Sequence, residues 1–244
     1  MRITLFLSYF LLFFIQKNNA NPPISHEIFD ILLKKHVNSE GFVNYKGFQR
    51  DSSELNTYLK LLSDNPPDVN TWSKDEQKAF WINAYNAFTI KLILNYYPIK
   101  SIKDIKRGIP FVNTTWDIKF IKIGDKTYDL NNLEHSILRP KFKDSRVHFA
   151  VNCASFSCPK LRNEAYTGEK LNTQLDDQAR AFLADKSKNV ITANSIKLSK
   201  IFTWYSIDFP GDKITYLNKY APVKINPDAD KISMSYNWAL NEQK

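Results

Sequence analysis

The sequence predicts an α+β domain, mostly helical, with a small antiparallel sheet. Three observations lead there. One long segment, from Thr71 to Tyr97, is apolar on most of its helical surface. Several shorter stretches repeat apolar residues at helical spacing, and a few others alternate and break at turn residues. Helices therefore dominate and strands are few.

Ser25 can cap a first helix, with Glu27 in its first turn and Ile28, Ile31, Leu32 and Val37 giving the apolar spacing. GFVNYKGF reads as a short extended piece. Ser52 to Leu62 reads as a second helix, stopped by Asn65-Pro66-Pro67. In the long helix Ser73 is the expected N-cap, with Asp75 and Glu76 in the first turn and Pro98 as the stop. Its breadth of apolar surface predicts a central, buried element with Trp81, Phe88 and Leu92 in the core.

Trp116 to Tyr128 alternates in places and contains Gly124-Asp125, which predicts a hairpin. Asn131 to Leu138 is predicted as a helix ended by Arg139-Pro140. Val147 to Val151 is predicted as a strand leading into Asn152-Cys153. Glu169 to Leu183 reads as a helix and Ile191 to Leu198 as further strand. The remainder, with Trp204, Tyr205 and Phe209, mixes strand and irregular structure.

Residues 1–20 have the order of a secretory signal peptide: a basic start, an apolar run from Ile3 to Ile15, and a polar stretch ending at Ala20. The run is short for a membrane span of about 20 residues, and no later segment is apolar enough to span. With cleavage after Ala20, residues 21–244 form a single domain, exported and either periplasmic or secreted; an uncleaved N-terminal anchor is the alternative. About 220 residues suffice for one core. Low glycine with abundant asparagine and lysine fits an AT-rich bacterial genome. The net charge of +9, from 34 Lys+Arg against 25 Asp+Glu, comes from scattered lysines. No arginine-rich helix or aromatic-basic stripe accompanies it, so no specific nucleic-acid binding is expected.

The chemistry concentrates in two motifs, DLNNLEHSILRP and RVHFAVNCASFSCP. They hold both cysteines of the protein, Cys153 and Cys158, and two of its four histidines, His135 and His148. Three roles compete for the cysteines: a disulfide between Cys153 and Cys158, a metal pair, or a nucleophilic Cys153. The spacing is not that of a structural zinc pair and no second pair exists, so neither metal nor cofactor is expected. A nucleophilic Cys153 needs a nearby base, and His135 and His148 are the candidates. On a strand, an odd separation of five would turn His148 away from Cys153, which favours His135. Glu134 diverges from His135 by about 100° on a helix, so it serves as a separate acid or substrate-binding carboxylate. Asn83 and Asn86, amides on an apolar helix, either hold a neighbouring backbone or line a pocket and bind substrate. Ser155 and Ser157 lack a nucleophile-elbow context. No P-loop, dinucleotide-binding glycine pattern or zincin motif is present.

FWINAYNAFTIKLIL, DLNNLEHSILRP, RVHFAVNCASFSCPKL, LSKIFTWYSIDF and YNWALN together resemble the family catalogued as domain of unknown function 547. The resemblance covers most of the mature chain. It implies that Asn83, Asn86, Glu134, His135, His148, Asn152, Cys153, Ser157, Cys158 and Pro159 are signature positions. It also implies a distant likeness to papain-type or transglutaminase-type thiol enzymes. The function expected is an exported thiol-dependent hydrolase or acyltransferase acting on a small peptide or amide substrate. In that scheme Cys153 attacks, His135 or His148 is the base, and Glu134, Asn83, Asn86, Asn152 and Ser157 orient or bind, with Asn152 and local N–H groups at the oxyanion. The alternative is a non-enzymatic binding domain with a structural Cys153–Cys158 disulfide.

Overall fold

The computed structural model of the protein describes residues 22–106 and 114–244. The signal segment expected at residues 1–20 lies outside the described residues. The architecture is mixed, with helices dominating and two small sheets.

Helix α1 spans Glu27–His36. Ser25 Oγ accepts from the Glu27 N–H at 3.2 Å, although His26 occupies the capping position. The stretch expected to be extended divides in two. Val43 bridges Val37, and Asn44 then caps helix α2 (Tyr45–Arg50) by accepting from the Gly47 N–H at 2.8 Å. An asparagine at N-cap satisfies a donor that a continuing strand would leave to another chain segment. Helix α3, Ser52–Asp64, packs on α1 and stops at Asn65.

Helix α4, Lys74–Tyr96, has the full capping box: Ser73 accepts from the Glu76 N–H while the Glu76 carboxylate accepts from the Ser73 N–H. Every residue from Lys78 to Ile90 is buried, so the helix runs through the core as its apolar girth requires. Trp81, Phe88 and Leu92 are core residues. Lys78 is tolerated there because Asp144 pairs its ammonium at 2.9 Å. Among the described residues no helix is long and apolar enough to cross a membrane.

The predicted hairpin forms from β1 (Ile121–Ile123) and β2 (Lys126–Tyr128), turning at Gly124 with φ +57°, a conformation glycine adopts freely. Asn132–Leu138 is a π-helix that runs on into α5, Arg139–Phe142, so Pro140 sits in the first turn instead of ending the helix. Helix α6 spans Leu171–Ala184. Strands β3 (Val190–Ile191) and β4 (Ser195–Leu198) pair antiparallel. They are followed by α7 (Ile201–Trp204), α8 (Lys213–Leu217) and β5 (Asp230–Ser233). Strand β5 pairs parallel to β4, so this sheet is mixed, not purely antiparallel. The long connection through α7 and α8 is what permits the parallel return.

Two apolar clusters result. The larger gathers α1–α4 and their neighbours. The smaller gathers Phe149, Phe182, Phe202, Phe209 and Tyr216 from α6, α7, α8 and the turn before them. They meet at a cavity.

Candidate active site

The segment before Cys153 is not a strand. Ser145–Phe149 forms a 3-10 helix, with the Asp144 carboxylate accepting from the Arg146 N–H at 3.1 Å. Val147, His148, Phe149 and Ala150 are all buried. Burial on consecutive positions makes the apolar run look like a strand, yet a short apolar run fits a buried helical turn equally. The alternation that would separate His148 from Cys153 is therefore absent, and both side chains line the same cavity of about 320 Å³.

The chain then turns sharply. Asn152 Nδ2 donates to the Pro159 carbonyl at 2.7 Å, and its Oδ1 accepts from the Ala154 N–H at 2.8 Å. Ala154 is held at φ +57°, a conformation that costs a non-glycine residue about 1–2 kcal/mol. Strain of this kind beside a reactive side chain is characteristic of functional loops. Residues 236–243 strap the loop from outside. Phe156 N–H donates to Ala239 O, Ser157 N–H to Asn237 O and Asn241 N–H to Ala154 O. Asn241 also donates to Asn152 Oδ1 and accepts from the Tyr45 hydroxyl.

On one wall of the cavity are two free thiols. Cys153 Sγ lies 2.7 Å from Cys158 Sγ, 3.2 Å from Ser155 Oγ and 3.3 Å from the Tyr236 hydroxyl. The Cys158 thiol, then Ser155 and Tyr236, hold Cys153 below the ordinary thiol value against the opposing effect of burial. Burial pushes Cys158 well up. Tyr236 is likewise pushed up by burial, so its hydroxyl stays protonated and available to donate. One cysteine is thus inclined to be the thiolate and its neighbour the donor.

His148 also lines the cavity: its Nε2 is 2.7 Å from Asp208 Oδ2 and its ring stacks on Tyr205 at 4.0 Å. Nδ1 is buried with no hydrogen-bond partner, and Glu134 Oε1 stands 3.9 Å away. Burial lowers the His148 pKa although Glu134 and Asp208 pull it up, so the ring favours its neutral form. With Asp208 accepting from Nε2–H, the Nδ1 lone pair is the free end. Burial alone would raise the Asp208 carboxyl. The Arg139 fork, at 2.5 and 3.1 Å, and His148 more than offset this and hold it low. Burial, then the Glu134 carboxylate, push the Tyr205 pKa up.

The candidate residues sort by position. Cys153, Cys158, Glu134, His135, His148 and Pro159 all line the cavity. His135 is on the exposed side of its helix, with Nδ1 2.6 Å from an Arg139 nitrogen; a lone pair engaged by a guanidinium is not available as a base. Asn83 and Asn86 do not line the cavity. Asn83 brackets Tyr166, donating to its carbonyl at 2.8 Å and accepting from its N–H at 3.0 Å. Asn86 donates to Ala150 O at 3.0 Å and accepts from the Asn152 N–H at 2.9 Å. Asn152 is used within the loop. Ser157 Oγ accepts from the Asn237 N–H at 2.9 Å, away from the cavity. The Cys153 N–H donates to Cys158 Sγ at 3.0 Å. Sequence reasoning did not find Asp208, Tyr205, Tyr236 or Arg139, and it gave Ser155 only a loop role. Arg139 alone had a local signal, four residues after His135 on one helix.

Fold and site together define a helix-rich α+β domain with a paired thiol and a carboxylate-oriented imidazole around one cavity. Residues 69–183 match the model of the family described as protein of unknown function, DUF547, as the sequence motifs imply. That stretch carries α4, the π-helix, the cysteine loop and α6; Tyr205, Asp208 and Tyr236 lie beyond it. No curated protein and no solved structure matches the chain.

Proposed function

We propose that this protein is an exported thiol hydrolase or acyltransferase acting on an amide or peptide-like bond. One observation carries the reading: His148, whose buried Nδ1 has no partner, lines the same cavity as Cys153, whose sulfur lies within hydrogen-bonding distance of Cys158, Ser155 and Tyr236. A buried acceptor left open costs stability, on the order of 1–3 kcal/mol. Here it belongs to a residue of the cavity wall, with the Glu134 carboxylate 3.9 Å away.

In this scheme Cys153 attacks the carbonyl carbon, forming a C–S bond. His148 Nδ1 takes up the thiol proton and delivers it to the leaving amine as the C–N bond breaks. Asp208 holds the imidazole in the tautomer that leaves Nδ1 free, and Arg139 holds Asp208. His148, not His135, is the base. Oxyanion stabilisation does not come from Asn152 or from the Cys153 and Ala154 N–H groups, since each is engaged. Tyr85 is a residue of the cavity lining whose hydroxyl burial keeps protonated, and it is assigned that role. Water or a second nucleophile then releases the acyl group. Distant kinship with papain-type or transglutaminase-type enzymes belongs to this reading.

The test uses the reduced protein and p-nitrophenyl acetate. The expected result is a burst of nitrophenol with one acetyl group on Cys153 by peptide mass mapping, lost in Cys153→Ala. An absent acetyl-enzyme, or one that forms equally in His148→Ala, overturns the reading.

A further inference from the structure

The two sulfurs are closer than a nucleophile and a bystander need to be. The loop that joins them is fixed at several points: Cys158 N–H donates to Ser155 O, and Phe156 and Ser157 are tied to residues 239 and 237. The Cys153 N–H also points at Cys158 Sγ. The backbone therefore holds the two cysteines close, and their side chains bring the sulfurs to 2.7 Å. A disulfide needs an S–S distance of about 2.05 Å. Going there from 2.7 Å is a shift of less than about 1 Å. The two cysteines also differ in access. Cys153 is partly exposed, whereas Cys158 is 5 % exposed. A reagent entering the cavity finds Cys153 as the more exposed sulfur.

We propose that Cys153 and Cys158 form a two-cysteine redox site, in which a hydroperoxide oxidises Cys153 and Cys158 closes a reversible disulfide. In the first step the Cys153 thiolate attacks one oxygen of the peroxide. An S–O bond forms, the O–O bond breaks, and the alkoxide or hydroxide leaves with a proton as alcohol or water. Cys153 is then a sulfenic acid. In the second step the Cys158 thiol gives up its proton and its sulfur attacks Cys153. The S–S bond forms, the S–O bond breaks, and the hydroxyl departs with that proton as water. The dithiol has lost two electrons and the peroxide has gained them. An external dithiol returns the pair to its starting state by exchange.

The placement of Cys158 explains what the pair achieves. A sulfenic acid left alone is carried on by further peroxide to the irreversible sulfinic state. A second sulfur already within hydrogen-bonding distance intercepts it first. The opposite directions of the two shifts fit the two roles: Cys153 is the more readily ionised thiol and Cys158 the less. Resting on the reading that Cys153 is the acyl-accepting nucleophile, the disulfide silences the enzyme under oxidising conditions and preserves it for reduction.

The experiment is intact-mass analysis of the reduced full chain treated with one equivalent of cumene hydroperoxide. The expected product has lost two hydrogen masses, no longer alkylates with iodoacetamide at either cysteine, and regains both sites after a phosphine reductant. Cys158→Ser, which keeps an oxygen to accept the Cys153 N–H, should instead gain one oxygen mass, trapped by dimedone on Cys153. Wild-type protein that goes straight to added oxygen, or a Cys158→Ser protein with the dimedone adduct elsewhere, overturns the proposal; the wild-type result stands alone if the variant does not fold. If the bridge forms reversibly but p-nitrophenyl acetate leaves no acetyl group on reduced Cys153, the acyl-transfer reading falls and the redox site remains. If the acetyl-enzyme forms but peroxide yields only sulfinic acid, the redox site falls alone.

Discussion

Asn86 and His148 are both buried polar residues beside the cysteine loop, and they use their hydrogen-bonding groups in opposite ways. Asn86, like Asn83 a turn earlier on α4, brackets backbone with both ends of its amide. His148 anchors one nitrogen on Asp208 and leaves the other without a partner. A saturated polar group in a core acts as scaffold, because every donor and acceptor is already committed. A half-satisfied one at a cavity wall is where an incoming group can bond.

Substitutions should separate the two kinds. Asn86→Leu strips partners from the Ala150 carbonyl and the Asn152 N–H. Each costs about 1–3 kcal/mol if left buried and unpaired, so a loss of roughly 2–6 kcal/mol is expected in urea denaturation, with altered alkylation of Cys153. Asn83→Leu should lose a similar amount through Tyr166 yet leave Cys153 alkylation unchanged. Equal effects of the two on Cys153 would break the distinction between a general scaffold and one that serves the loop.

His148→Ala should do the reverse. Asp208 keeps the Arg139 fork, so the loss is one hydrogen bond plus the packing of the ring on Tyr205, and stability should fall by about 1–3 kcal/mol. Acetyl-enzyme formation should fall roughly 10²–10⁴-fold, the usual contribution of a positioned acid–base group. A large stability loss with little change in acylation would make His148 scaffold after all.

Acid sharpens the comparison from another side. Burial lowers the pKa of His26 to about 4 and lowers that of His148 also. Both are neutral in the folded protein, while the unfolded chain takes up protons near the ordinary value of 6.5. Stability should be level above pH 6.5 and fall as the pH drops below it, for His26 down to about pH 4. His26 alone accounts for roughly 3 kcal/mol across that window. Thermal melts from pH 7.5 to 4 check this, and His26→Gln should flatten most of the slope.

The smallest effect is expected at Ala154. Glycine relieves about 1–2 kcal/mol of left-handed strain but adds about 0.5–1 kcal/mol of unfolded-state entropy, so Ala154→Gly should shift stability by under about 1 kcal/mol. A large loss would mean that the Ala154 methyl, not the turn, matters to the loop.

What the sequence made legible was what is encoded locally. The capping residues and apolar girth of α4 lie in one contiguous stretch, and its burial follows from composition. The Gly124 turn and α6 are of the same kind. The run from Val147 to Val151 misled because five buried apolar-flanked residues carry no period that separates strand from tight helix. The thiol half of the site was visible because both cysteines lie within six residues. Its partners were not: Asp208 meets His148 across 60 residues and Tyr236 meets Cys153 across 83. Neither has a neighbour pattern that announces it, since an aspartate in a short turn and a tyrosine in an irregular tail look alike whether or not they touch a catalytic group.

The strap formed by residues 236–243 gives the protein a built-in order of assembly. Those residues are synthesised after everything they join, from Tyr45 to Ser157. While the chain is still emerging, the helices around α4 have all their own sequence available to pack, but Cys153 lacks the Tyr236 hydroxyl and its loop lacks three backbone partners. The surroundings of the thiol are complete only when residues 236–243 dock. Before that docking Cys153 lacks its Tyr236 partner, so its surroundings are completed only together with the fold.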